Sequence, residues 1–200
     1  MAKDSERHKA EKQRVKASVD RRKAAAQREK GLIIVHTGAG KGKTTAAMGM
    51  ALRCIGHGMK VAIIQFVKGA IPTGEERALM QLSKDVTFLR MGEGFTWETQ
   101  DRERDVLLAH KAWETALTYL RDPSYSMVIL DELNIVLRYD YLPLDEVLEA
   151  LRNKPAMLHV VITGRSAKKE LMEAADLVTE MGMIKHPFRD GVKAQKGVDL

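Results

Sequence analysis

The sequence predicts an α/β protein in which a mainly parallel central sheet is flanked by helices. Two observations carry this reading: five short β-rich runs lack the strict alternation of a half-exposed strand, and helical patterns separate them. The runs are residues 32–37 (LIIVHT), 61–67 (VAIIQFV), 86–89 (VTFL), 127–132 (MVILDE) and 158–163 (LHVVIT). Each is apolar through its middle and is expected to be a strand buried on both faces. Helices are expected over residues 43–55, ended by Gly56 and Gly58, and over 99–120, 144–152 and 167–175. Strands returning in the same direction need a crossover, and a helix supplies it, so this alternation implies a covered parallel sheet. A chain of 200 residues fits one substantial core, and 44% apolar with 30% charged residues excludes wholesale disorder.

Residues 1–30 differ in texture from residues 31–200. They contain eleven Lys or Arg and five Asp or Glu, an excess of six, while the remaining 170 residues hold 22 of each sign. The entire net charge of +6 therefore lies in this basic arm. Residues 2–30 lack Gly and Pro and are rich in helix-favouring side chains, so the arm is expected to be helical when supported. Val15 and Val19 offer little to pack with, which leaves a solvated arm or a helix that closes over a ligand or partner subunit. The lone Cys54 cannot form an internal disulfide. No apolar stretch is long enough to span a bilayer, so no membrane association is expected. The charged N-terminus lacks the apolar core of a signal peptide, and a cytoplasmic location is expected.

Chemistry concentrates first after the opening run. LIIVHTGAGKGKTTAAMGMAL reads as strand, glycine-rich turn and helix, the context a phosphate loop needs. Gly38, Gly40 and Gly42 let the backbone turn tightly and aim its N–H groups inward at a helix N-terminus. The candidate nucleotide-binding residues are Gly38, Ala39, Gly40, Lys41, Gly42, Lys43, Thr44 and Thr45, with Lys43 on phosphate oxygens and the Thr44 hydroxyl on Mg²⁺ or Mn²⁺. Thr37 stands where the usual pattern has its first glycine. A second half of the site is expected at the end of MVILDE, where Asp131 or Glu132 would act on the metal directly or through water. This pairing makes the expected architecture that of a P-loop NTPase, RecA-like, with residues 31–200 as the nucleotide-binding domain.

A phosphate loop names the ligand and leaves the reaction open. The nearest string to a guanine-specific Asn-Lys-x-Asp signature, Asn153–Lys154–Pro155–Ala156, lacks the aspartate. A nucleic-acid-stimulated ATPase would suit the basic arm, yet the neutral body offers no basic-aromatic stripe, so no nucleic-acid partner is expected. GFTWETQ places Phe95 and Trp97 two residues apart beside Gly94, which suits a flat apolar ligand or a plug of the core. His36 and Cys54 read as structural, and Trp113 lies on the apolar stripe Val106, Ala109, Trp113, Leu117, Leu120. Lys41 suits phosphate, and Arg165 suits either the nucleotide or a surface ion pair.

TGAGKGKTTAA, QFVKG, GFTWETQ, VILDEL, YDYLPLDEV, VITGR and KHPFRDGVKAQKGVD together resemble the P-loop class of corrinoid adenosyltransferases. Thr37 in place of glycine is itself typical of that family. The resemblance implies an enzyme that moves the 5′-deoxyadenosyl group of ATP to the cobalt(I) of cobalamin or another corrinoid and releases triphosphate whole. It implies catalytic roles for Lys43, Phe95 and Trp97, the two aromatics covering the lower corrinoid face. It also implies a homodimer, a transient reduced flavoprotein as electron donor, and a tail in which His186, Phe188, Lys193 and Gln195 help to wall the corrinoid pocket.

Overall fold

The computed structural model describes residues 2–67, 73–92 and 101–198, with side chains from His8 onward. The chain divides into two compact units, residues 1–30 and 31–200. The first is a single helix, α1 (Ala2–Ala25), whose Val15 and Val19 are exposed. Among the described residues the second holds six strands: β1 (Ile33–Thr37), β2 (Val61–Gln65), β3 (Val86–Arg90), β4 (Met127–Asp131), β5 (His159–Thr163) and β6 (Leu177–Glu180). Helices α2 (Lys43–Gly56), α3 (Gly74–Leu82), α4 (Arg102–Leu120), α5 (Leu133–Arg138), α6 (Leu144–Arg152) and α7 (Lys169–Ala174) run between them. A 3₁₀ turn, Pro187–Asp190, follows β6.

All strand pairs are parallel, in the order β3-β2-β4-β5-β1-β6. Side chains alternate between two cores. Ile33, Val35, Ala62, Ile64, Val128, Leu130, Val160 and Ile162 face α4 to α7, with Trp113 and Leu120 among their neighbours. Ile34, Val61, Ile63, Met127, Ile129 and Val161 face α2 and α3, where Cys54 and Leu79 pack. With both faces covered, a strand needs no polar side, which is why these segments read as unbroken apolar runs.

The five expected strands appear within one or two residues of their expected ends, and α6 covers residues 144–152 as expected. The long helix begins at Arg102, later than residue 99, because the Asp101 side chain accepts from Arg104 N–H (3.1 Å) and caps it there. The sequence reading contained no β6, α3 or α5. β6 is four residues long, all of them exposed, and pairs with β1 at the sheet edge, so no apolar period announces it. α3 owes its start to Thr73, which accepts from Glu76 N–H.

Candidate active site

The phosphate loop joins β1 to α2. Gly38 (φ 97°) and Gly42 (φ 103°) hold positive-φ conformations that a side chain would strain. A Cβ at Gly38 or Gly40 would also collide with the Met181–Gly182 backbone. Gly40 N–H donates to Met181 O (2.6 Å), and Met181 N–H donates to Thr37 O (2.9 Å). The loop is therefore moulded against the chain leaving β6. Helix α2 starts without a side-chain cap, so its first N–H groups are left to an external acceptor, and an anion suits that end best.

Lys43 lies 8% exposed, its ammonium folded onto the carbonyls of Gly38 (2.9 Å) and Gly40. Burial holds it below the ordinary lysine range. Glu132 opposes that shift, whereas Arg165 and Lys41 add to it. A phosphate oxygen would give the ammonium an anion in place of carbonyls. His36, beneath the loop, faces Lys43 O through Nδ1 (3.4 Å) and is buried, in keeping with a structural role. Ala39, Lys41 and Thr45 are exposed at the rim.

β4 delivers the acidic pair beside this loop. One strand, β5, separates β4 from the loop-bearing β1, the spacing of the RecA-like arrangement. Asp131 is fully buried and enclosed: Thr44 Oγ1 (2.8 Å) and Thr163 Oγ1 (2.6 Å) donate to Oδ1, and Gln65 Nε2 (2.8 Å) donates to Oδ2. Glu132 takes a left-handed conformation (φ 64°), and its N–H donates to Thr163 Oγ1 (3.0 Å). A Cβ at Gly164 would lie 3.0 Å from Glu132 Oε2, so glycine there leaves room for the carboxylate.

The residues at this rim fit a magnesium ion. The Thr44 hydroxyl and Glu132 carboxylate are hard oxygen donors within one neighbourhood, and Gln65 Oε1 and Asn134 Oδ1 are buried oxygens without a hydrogen-bond partner among the described residues. Among the described residues no cluster of three His, Cys, Asp or Glu forms a complete protein cage. Magnesium suits a partial donor set because it keeps waters and takes substrate phosphates.

The structure thus brings Gly38, Gly40, Gly42, Lys43, Thr44, Asp131 and Glu132 together, although Asp131 and Thr44 are 87 residues apart. Phe95 and Trp97 lie outside the described residues. Gln65, Thr163 and Asn134 were not singled out by sequence reasoning; a polar residue interrupting an otherwise apolar run was the available signal for Gln65, and one closing such a run for Thr163. In the tail, His186 accepts from Phe188 N–H (3.2 Å), and Phe188 is 75% exposed.

Fold and site define a P-loop α/β protein built to bind a nucleotide polyphosphate. Residues 29–200 match the model of the family described as ATP:corrinoid adenosyltransferase BtuR/CobO/CobP, and the chain belongs to that family. It is 56% identical over 200 residues to a corrinoid adenosyltransferase of Sinorhizobium sp., covering 99% of this chain and 94% of the relative. A corrinoid adenosyltransferase of Pseudomonas aeruginosa is 52% identical, with 98% and 96% covered. One from Escherichia coli K12 is 50% identical, with 97% and 98% covered. The protein is a corrinoid adenosyltransferase.

Proposed function

We propose that the enzyme transfers the 5′-deoxyadenosyl group of ATP to the cobalt(I) of a corrinoid and releases inorganic triphosphate whole, in adenosylcobalamin biosynthesis or salvage. The observation that carries this reading is the enclosed Asp131–Thr44–Lys43 arrangement at the phosphate loop, in a site without an evident catalytic His or Cys among the described residues. Cobalt(I) donates its electron pair to the ribose 5′-carbon, the carbon–oxygen bond to the α-phosphate breaks, and that bond's pair leaves on triphosphate. Substitution at a saturated carbon by a metal nucleophile needs no general base. It needs alignment and neutralisation of growing negative charge.

In this reading the loop amides from residues 38–45 and the Lys43 ammonium hold the triphosphate. Thr44 and Glu132 supply the oxygen donors for Mg²⁺, and the ion, when bound, adds charge neutralisation at the phosphates. Asp131 has its oxygens engaged by Thr44, Thr163 and Gln65, which supports a role in orienting Thr44 over one as a direct ligand. Phe95 and Trp97 provide an apolar, water-poor face under the cobalt, which disfavours its five-coordinate oxidised state and eases its reduction. A reduced flavoprotein supplies the electron that converts cobalt(II) to cobalt(I). The exposed apolar residues Leu177, Val178, Ile184 and Phe188 on β6 and beyond support a homodimer. No helix among the described residues is long and apolar enough to cross a membrane; the reading assigns the enzyme to the cytoplasm.

Product analysis tests this reading. Protein, ATP, Mg²⁺ and chemically reduced cobalamin are expected to yield a light-sensitive adenosylated corrinoid and one intact triphosphate per turnover. ADP and phosphate, released faster with a polynucleotide, would instead establish the alternative of a nucleic-acid-stimulated ATPase.

A further inference from the structure

The turn after β5 is built more firmly than its place on the surface requires. Gly164 (φ 125°) and Ser166 (φ 56°) both hold positive φ, a conformation that serine disfavours. Three elements hold the turn in that shape. Thr163 Oγ1 donates to Asp131 (2.6 Å) and accepts from Glu132 N–H (3.0 Å). Gly164 O accepts from Asn134 Nδ2 (3.0 Å), and Ala167 N–H donates to Thr37 Oγ1 (3.1 Å).

Between these anchors stands Arg165, exposed, its guanidinium making no hydrogen bond or ion pair among the described residues. Its neighbours differ: Lys168 pairs with Asp140 (2.8 Å) and Lys169 with Glu173 (3.4 Å). Thr37 closes β1 and opens the phosphate loop, so its hydroxyl fastens the Arg165 turn to the loop entrance. A glycine at that position could offer no such acceptor. An arginine delivered by a strained, anchored turn to the mouth of an anion site, with no protein anion paired to it among the described residues, is suited to an anion that arrives with the substrate.

We propose that Arg165 is a binding residue for the triphosphate of the nucleotide, and that Thr37, acting through Ala167, is the positioning residue that aims it. The inference rests on the reading above that triphosphate departs whole. Such a leaving group carries several negative charges at once, and a planar guanidinium fork can grip two of its oxygens together. The closeness of the Arg165 charge to the Lys43 ammonium, which it helps to hold below the ordinary lysine range, agrees with both serving one anion.

Calorimetric titration of the full chain with inorganic tripolyphosphate, and separately with adenosine, both in Mg²⁺, tests this. Arg165→Ala is expected to weaken tripolyphosphate binding about tenfold and leave adenosine binding unchanged, with Arg165→Lys recovering part of the loss. Thr37→Val should weaken the same anion several-fold, and Thr37→Ser, which keeps the hydroxyl, should bind as the wild type does. An Arg165→Ala protein that binds tripolyphosphate as tightly as a wild type that produces it overturns this inference alone. A wild type that neither binds nor releases tripolyphosphate overturns the proposed function as well. Thr37→Ser as weak as Thr37→Val removes Thr37 from the assignment.

Discussion

The interior of the sheet and its C-terminal rim are made from the same strands, yet they follow opposite rules. In the interior, Ile63, Ile64, Val128, Ile129, Val160 and Val161 are wholly buried and apolar. At the rim, His36, Thr37, Gln65, Asp131 and Thr163 are also buried, and all are polar; Lys43 and Asn134 join them from the helices that follow. Burying polar groups disfavours folding unless each finds partners. The rim meets that condition through cross-strand bonds such as Thr163–Asp131 and Gln65–Asp131, while Gln65 Oε1 and Asn134 Oδ1 stay without hydrogen-bond partners among the described residues. The strand bodies supply stability, and their ends use some of it to hold charge and hydrogen-bonding groups out of water where a ligand binds.

This contrast can be broken by substitution. The largest expected effect is Lys43→Ala, which should lower adenosyl transfer at least about 100-fold through lost phosphate stabilisation. The melting temperature should hold or rise, since a cation disfavoured by burial is removed. Activity assays and thermal unfolding on one preparation decide it, and a variant that loses activity only by unfolding would make the rim structural. Ile63→Ala, in the body of β2, should do the reverse. It should cost about 2–5 kcal/mol of stability in chemical denaturation while the folded fraction keeps wild-type turnover.

The smallest effect sharpens the comparison from the opposite end of the sheet. His159 opens β5, and its Nδ1 accepts from Leu32 N–H (3.1 Å). Burial, helped by nearby Lys154, holds its imidazole below the usual range. Because its folded value lies below its unfolded one, its contribution is complete above the unfolded value of about 6.5 and is lost as pH falls from there toward the folded value. Urea midpoints measured between neutral and mildly acidic pH should therefore fall more in the wild type than in His159→Gln. Parallel midpoints would show that His159 is not held neutral.

Much of this division was legible in the residues. Val, Ile and Leu runs without alternation can satisfy a strand only inside a covered parallel sheet, so β1, β2, β4 and β5 announced themselves, whereas β3, expected to be buried on both faces, is an edge strand with Val86 and Phe88 buried and Thr87 and Leu89 only half-buried. Gly38, Gly40, Gly42, Lys43 and Thr44 announced the loop because their order matches what a phosphate requires. Thr44 and Asp131 were expected to meet at a shared metal, but their direct bond was not legible, nor was anything near Thr37 in sequence that indicates Ala167 or near Asp131 that indicates Gln65. β6 was missed because it is only four residues long and lies exposed at the sheet edge, and α5 because it is short and is preceded by Glu132, whose left-handed backbone no propensity predicts.

The bond from Gly40 to Met181 has a consequence for motion. Exposed edge elements with few buried apolar contacts are ordinarily among the cheapest parts of a domain to loosen, and β6 is an edge strand with exposed side chains. Here, peeling that edge away also withdraws the wall against which Gly38 and Gly40 are moulded. Peeling of this edge and relaxation of the glycine loop thereby become a single event, and whatever steadies β6 steadies the loop.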